Sequence, residues 1–230
     1  MSPGNPSLVP SPAGPEGAGS SPSGLRVVVL VSGEGTNLQA ILDRAHGREG
    51  VEVVGVAASR PEARGLERAR RAGVPSATFP RAGFPGREER DRALGDWAAG
   101  LEPGLLVLAG WMELLSAGFV RRFAGRMINV HPSLLPAFAG LRAIEQALEN
   151  GVRVTGVTVH FVDEGVDSGP IILQESLPVP YPPHIEEVEH SIHEIEHRLL
   201  PRAVRLFARG GIRIDPAHPR HVIVHDDARD

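Results

Sequence analysis

Leu25-Arg26-Val27-Val28-Val29-Leu30-Val31-Ser32-Gly33-Glu34-Gly35-Thr36-Asn37-Leu38 is the stretch on which the fold turns. Residues 26–31 form a short apolar run dominated by β-branched side chains, the pattern of a strand buried on both faces. Two glycines interrupt it, and from Leu38 the apolar positions Leu38, Ile41, Leu42 and Ala45 recur at helical spacing. Strand, glycine turn and helix in direct succession are the opening half of a βαβ unit, which predicts a mostly parallel sheet with helices on its faces. Working outward, residues 51–58, 105–109 and 127–130 read as further buried strands. Leu66, Ala69 and Ala72 mark a second helix. Residues 154–162 and 171–178 alternate more, as strands of an antiparallel or mixed edge do. Residues 185–209 predict a long helix, because Val188, Ile192, Ile195, Leu199 and Leu206 share one arc, and Pro201 is expected to kink it. Residues 212–214 and 221–224, around two prolines, suggest a hairpin-like closure.

The chain has 230 residues, enough for one sizeable core and short for two catalytic domains. A net charge of -4 and a pI near 6.2 provide no extended basic field, so nucleic acid is not an expected partner. No apolar run reaches the roughly 18 residues of a membrane helix, and the start lacks the basic-then-apolar pattern of a signal peptide. The chain has no cysteine, which excludes disulfides, thiolate metal sites and cysteine nucleophiles, and it suits a reducing compartment. A cytoplasmic location is therefore expected, with monomer and homodimer both open. Residues 1–24 hold six Pro, five Gly and six Ser, a composition that cannot bury enough apolar surface to offset its ordering entropy. They read as a disordered tail before a domain spanning residues 25–210, with residues 211–230 as a C-terminal extension.

In Ser32-Gly33-Glu34-Gly35-Thr36-Asn37 the glycines let several backbone N–H groups converge beside a helix N-terminus, an arrangement that stabilises a phosphate. Thr36 and Asn37 add side-chain donors. The plainer alternative is a βα turn whose Thr36 or Asn37 caps the helix. No Lys follows the glycines and a third Gly is missing, so neither a P-loop nor a full dinucleotide fingerprint is present.

Met127-Ile128-Asn129-Val130-His131-Pro132-Ser133-Leu134-Leu135-Pro136 carries an amide and an imidazole two residues apart, on one face at the end of a strand that Pro132 stops. The C-terminal edge of a parallel sheet is where open α/β folds bind ligands. The loop Asp163-Glu164-Gly165-Val166-Asp167-Ser168-Gly169-Pro170 offers acids able to pair with such a histidine and orient it for proton transfer. Asp167 is preferred among three, although spacing alone does not single it out. His193-Glu194-Ile195-Glu196-His197 spells the H-E-x-x-H pattern of zinc proteases. Helical geometry opposes that reading, since Glu196 lies about 40° from Ile192 and leans inward whereas Glu194, about 200° away, points outward. With Pro201 close behind and no clear third ligand, no metal is expected there.

Together these segments resemble the phosphoribosylglycinamide formyltransferase family. The likeness covers residues 25–210 and rests on the glycine turn with Leu38-Gln39-Ala40-Ile41, on Gly65-Leu66-Glu67-Arg68-Ala69, on Val107-Leu108-Ala109-Gly110-Trp111-Met112, on Ile128 to Pro136 and on Asp167-Ser168-Gly169-Pro170. The resemblance implies a single Rossmann-like α/β domain, with a mostly parallel central sheet, helices on both faces and an antiparallel edge. It implies that Gly35, Thr36 and Asn37 hold the phosphate of glycinamide ribonucleotide and that Glu196 contacts its glycinamide part. It further implies Asn129, His131 and Asp167 as the catalytic trio. Arg87, Met112, Glu113, Leu114 and Leu115, with Asn129, would bind 10-formyltetrahydrofolate as formyl donor, and no metal is needed. Glu113 stands where the family commonly has Arg or Lys, and Ala139 where a Pro often precedes the glycine; these departures bear on affinity and loop rigidity more than on chemistry. Formyltetrahydrofolate hydrolase and methionyl-tRNA formyltransferase share the Asn–His–Asp core and are the nearest alternatives. A nucleotide-binding regulatory module of the same class, in which these side chains are structural, is the non-enzymatic one.

Overall fold

The computed structural model describes residues 24–225, so the expected tail lies outside the described residues apart from Gly24. Seven strands form one sheet. Its parallel part starts with β1 (Leu25–Val31), flanked on one side by β2 (Val51–Ala58) and then β3 (Ser76–Thr78), and on the other by β4 (Leu105–Leu108) and β5 (Met127–His131). The expected edge follows as β6 (Val154–Phe161) and β7 (Ile171–Pro178), both joined antiparallel. The chain thus moves outward from β1 in one direction and later returns to its other side. The gap between the ends of β1 and β4 is the topological switch point, where such sheets hold ligands.

Side chains of β1 alternate between two cores. Val27, Val29 and Val31 face α1 (Thr36–Arg44) and α6 (Ile185–Ala208), while Val28 and Leu30 join a second cluster with Leu94 and Ala98 of α3 (Arg87–Gly100) and Phe119 and Val120 of α4 (Ala117–Arg122). Burial on both faces accounts for the uninterrupted apolar run. The second expected helix is α2 (Arg64–Arg71), and α5 (Ala143–Glu149) follows β5. Helix α3 escapes a periodicity reading because residues 87–92 are all charged and its apolar residues crowd into the second half. Beyond α6, β8 (Ile212–Ile214) and β9 (Val222–Val224) pair antiparallel, the anticipated hairpin, with β9 lying against β7.

The long helix carries its proline in a specific way. Helix α6 runs from Ile185 to Ala208 without interruption through Pro201. Proline removes the bond that would reach the carbonyl four residues back, and here Arg44 of α1 donates to that His197 carbonyl at 2.9 Å. Arg205 of α6 reciprocates onto the Arg44 carbonyl at 3.1 Å. An outside donor satisfies the orphaned oxygen, so the helix continues.

Candidate active site

The loops after β1 and β4 are tied together at the switch point. Ser32 donates its N–H to the Gly110 carbonyl at 3.0 Å, its hydroxyl accepts from the Met112 N–H at 2.8 Å, and Ser59 after β2 donates to the same hydroxyl at 2.7 Å. Gly35 adopts the left-handed conformation, φ 70°, and a Cβ there would meet the Gly65 Cα at 2.6 Å, so both the turn and the close approach of α2 require glycine. Helix α1 starts directly at Thr36, and no side chain caps it. The capping alternative is therefore excluded, and the first N–H groups of the helix face a cleft of about 340 Å³ lined by residues 32–37, Arg60, Gly110, Met112, His193 and Glu196. Arg60, just beyond the end of β2, has no signature in the sequence except its strand-end position.

Asn37 differs from expectation. Its amide nitrogen donates to Glu196 Oε2 at 2.9 Å, so the side chain is turned to the acid of α6 rather than to the glycine turn. The Asn37 Oδ1 is buried with no partner. Glu196 is 6% exposed, which agrees with the inward lean read from the helical wheel. Burial, the largest influence, raises its carboxyl above the ordinary range, and neither the Asn37 hydrogen bond nor nearby His193 reverses this. Glu194 is exposed and pairs with His190 at 3.5 Å. His193 and His197 lie one turn apart with stacked rings 6.2 Å between centroids, and among the described residues they form no metal-competent triad.

Asn129 and His131 point to the face of β5 opposite Ile128 and Val130, as the two-residue period requires. Asp167 meets both. Its Oδ2 lies 3.2 Å from His131 Nδ1 and accepts the Gly140 N–H at 2.8 Å, and its Oδ1 accepts from Asn129 Nδ2 at 3.3 Å. Burial pushes the Asp167 carboxyl up, but the contact with His160, the Gly140 N–H and the neighbouring imidazoles together hold it below the ordinary range. Asp167 sits at φ 49°, a left-handed conformation that aspartate tolerates better than most residues. The structure thus brings together the three side chains, which sequence spacing could not do.

His160 was not singled out in the sequence. Register pairs it with Asn129 across β5 and β6, and it is buried. Its Nδ1 donates to the Phe161 carbonyl at 2.7 Å, so in the neutral ring Nε2 accepts from Asn129 Nδ2 at 3.2 Å. As an imidazolium it would instead donate to Asp167 Oδ1, 3.5 Å away. The two amide hydrogens of Asn129 are therefore divided between His160 and Asp167. His131 Nε2 faces the Phe138 carbonyl at 2.9 Å, and with Asp167 at Nδ1 both ring nitrogens look at acceptors.

The 112–115 loop is held by a buried arginine that the sequence reading did not single out. Arg87, at the exposed start of α3, lies 3.7 Å from Glu88 and makes no bond to this loop. Arg90, one turn on and 1% exposed, binds the Glu113 carboxylate and the Leu114 carbonyl, both at 3.1 Å, as well as Asp91, while its guanidinium lies over the Trp111 ring. Asp91 in turn accepts the Ser116 N–H. Glu113 thus uses its side chain to anchor the loop. Met112 and Leu114 are left 63% and 61% exposed. Of seven exposed large apolar side chains among the described residues, four, Met112, Leu114, Leu141 and Val166, stand on the loops that frame the trio, the pattern of an apolar ligand surface.

The formyl transferase family model matches residues 25–204. The chain is 43% identical over 190 residues to the phosphoribosylglycinamide formyltransferase of Haemophilus influenzae, covering 82% of this chain and 90% of that protein. It is equally 43% identical to the trifunctional purine biosynthetic protein adenosine-3 of Drosophila melanogaster, of whose length it spans 14%. Among solved structures, glycinamide ribonucleotide transformylase 1 from Symbiobacterium toebii superposes with a TM-score of 0.84 at 46% identity, covering 90% of this chain and 96% of that one.

Proposed function

The chain belongs to the formyl transferase family, and from that premise we propose that it transfers the formyl group of 10-formyltetrahydrofolate to the amine of glycinamide ribonucleotide, in purine biosynthesis. The single observation that carries this reading is one cleft with an anion cradle in the glycine turn, a buried acid at Glu196, and the edge of β5 along its side, whose other face bears Asn129 and His131, met there by Asp167 of the β6–β7 loop. The backbone N–H groups at Gly35, Thr36 and Asn37 hold the phosphate. Glu196, held in place by the Asn37 amide, accepts the N–H groups of the glycinamide portion. Met112 and Leu114 cover the flat ring of the folate, with Glu113, Leu115 and Asn129 completing its pocket; Arg87 contributes only as a nearby surface cation.

The amine lone pair forms a bond to the formyl carbon, and the carbonyl electrons move onto oxygen. Protonated His131 stabilises that oxyanion, together with one Asn129 amide hydrogen that the substrate oxygen takes over from His160 or Asp167. For this the formyl oxygen takes over His131 Nε2 from the Phe138 carbonyl. The carbon–nitrogen bond to the folate then breaks, and the proton lost by the attacking amine passes to the departing folate nitrogen, with Asp167 and His131 relaying it. The substrates are small molecules, handled in the cytoplasm by a monomer or homodimer. No metal takes part. Among the described residues no helix is long and apolar enough to cross a membrane.

Incubation with 10-formyltetrahydrofolate should release deformylated folate only when glycinamide ribonucleotide is present, read by absorbance. Equal release without the ribonucleotide would favour the hydrolase alternative, and none with it would remove the proposal. Glu196→Gln should cost about 1.5–3 kcal/mol of ribonucleotide binding, the range for a hydrogen bond to a charged group. Because the Glu196 carboxyl sits above its ordinary range, the wild-type KM for the ribonucleotide should rise as pH falls through that raised value and the carboxylate is lost. The ratio of wild-type to Glu196→Gln KM cancels the titration of the substrate itself; a ratio constant with pH would exclude an ionised Glu196 as acceptor.

A further inference from the structure

We infer that the turn between β8 and β9 is a binding site for a divalent transition-metal ion, with Asp215, His218 and His221 as ligands, separate from the reaction centre. The sequence there is Asp215-Pro216-Ala217-His218-Pro219-Arg220-His221, so a carboxylate and two imidazoles recur every third residue. Two successive tight turns put the three on one side: the His218 N–H reaches the Asp215 carbonyl at 3.2 Å and the His221 N–H the His218 carbonyl at 2.7 Å. The Asp215 N–H closes the loop onto the His221 carbonyl at 2.9 Å, and Pro216 and Pro219 restrict the backbone after each of the first two ligands. The carboxylate is aimed as well. Its Oδ1 accepts the Ala217 N–H at 2.9 Å, which leaves Oδ2 toward His218 Nδ1 at 3.2 Å, and the His218 and His221 rings stack 5.2 Å apart.

One ligand atom from each residue already lies within 4.8 Å of the other two. Ligand atoms around a tetrahedral ion with bonds of about 2.0–2.1 Å stand about 3.3 Å apart. Closure thus asks for a contraction of at most about 1.5 Å, which rotation of two exposed imidazoles supplies. Two imidazoles and one carboxylate suit Zn²⁺, Ni²⁺ or Cu²⁺, whereas Mg²⁺ and Ca²⁺ prefer all-oxygen sites. Three protein ligands leave a position for water, and the bound ion would fasten the β8–β9 hairpin, whose second strand lies against β7.

Titration calorimetry of the full chain, freed of any histidine tag, with ZnCl₂ tests this, followed by ¹H–¹⁵N NMR of the histidine rings. One equivalent of Zn²⁺ should bind, His218 and His221 resonances should shift, and His218→Ala and His221→Ala should each weaken binding by about tenfold or more. His193→Ala should leave the affinity as it was, which separates this site from the histidine pair on α6. Formyl transfer should be unchanged in His218→Ala. Absence of Zn²⁺ binding, binding insensitive to both hairpin substitutions, or equal affinity for Mg²⁺ or Ca²⁺ would overturn the assignment.

Discussion

His131→Ala is expected to reduce turnover by about 10²–10⁴-fold while the protein stays folded, the range for removing a positioned acid or base. The imidazole touches only the Asp167 carboxylate and the Phe138 carbonyl at hydrogen-bond distance, and Asp167 retains its bonds to Asn129 and Gly140. The loss of fold stability should be about 2 kcal/mol, the worth of two ordinary hydrogen bonds. Steady-state kinetics with thermal unfolding on the same sample checks both. Asp167→Asn should fall in the same range, and the double variant should be scarcely worse than either, because groups acting as a unit do not add. Full turnover in His131→Ala would instead mean that the imidazole is structural and would count against the proposed chemistry. Additive losses would argue that the two act separately.

The second large effect concerns stability. Arg90→Ala should destabilise the protein by about 3–5 kcal/mol, since it leaves the fully buried Asp91 carboxylate without its cation. The damage should extend to folate affinity, because Arg90 also holds Glu113 and Leu114. Replacing both Arg90 and Asp91 by alanine should cost less than the sum of the single changes, as removing a buried pair is milder than orphaning one partner. Denaturant titration of the three variants measures that coupling. Additive losses would mean the pair contributes little beyond packing.

Much of the sheet is legible in the sequence because strands buried on both faces write themselves as unbroken apolar runs, and β1, β2 and the edge pair β6 and β7 lie within a residue or so of where those runs predict them. Asn129 and His131 are legible too, for a two-residue period needs no tertiary information. Asp167 is not. Its choice over Asp163 and Glu164 depends on a left-handed turn and the Gly140 N–H, a contact made 27 residues away in the chain. Arg90 is hidden for a different reason: within six consecutive charged residues a buried arginine looks like part of a solvated face. His160 lies inside an apolar strand, where only register shows that it faces Asn129. Around Pro201 the long helix is legible, but the donor from another helix that serves the carbonyl the proline orphans is not.

That donor has a wider meaning. Helix α1 begins at the anion cradle and α6 carries Glu196, and the two are stapled where Arg44 grips the carbonyl that Pro201 releases, with Arg205 clasping back. The span from cradle to acid is therefore a fixed gauge, cut by the crossing of two helices rather than by any mobile loop. On the proposed reading, a substrate would be measured by the distance between its negative end and its nitrogen, and analogues shorter or longer by a few bonds should bind more weakly.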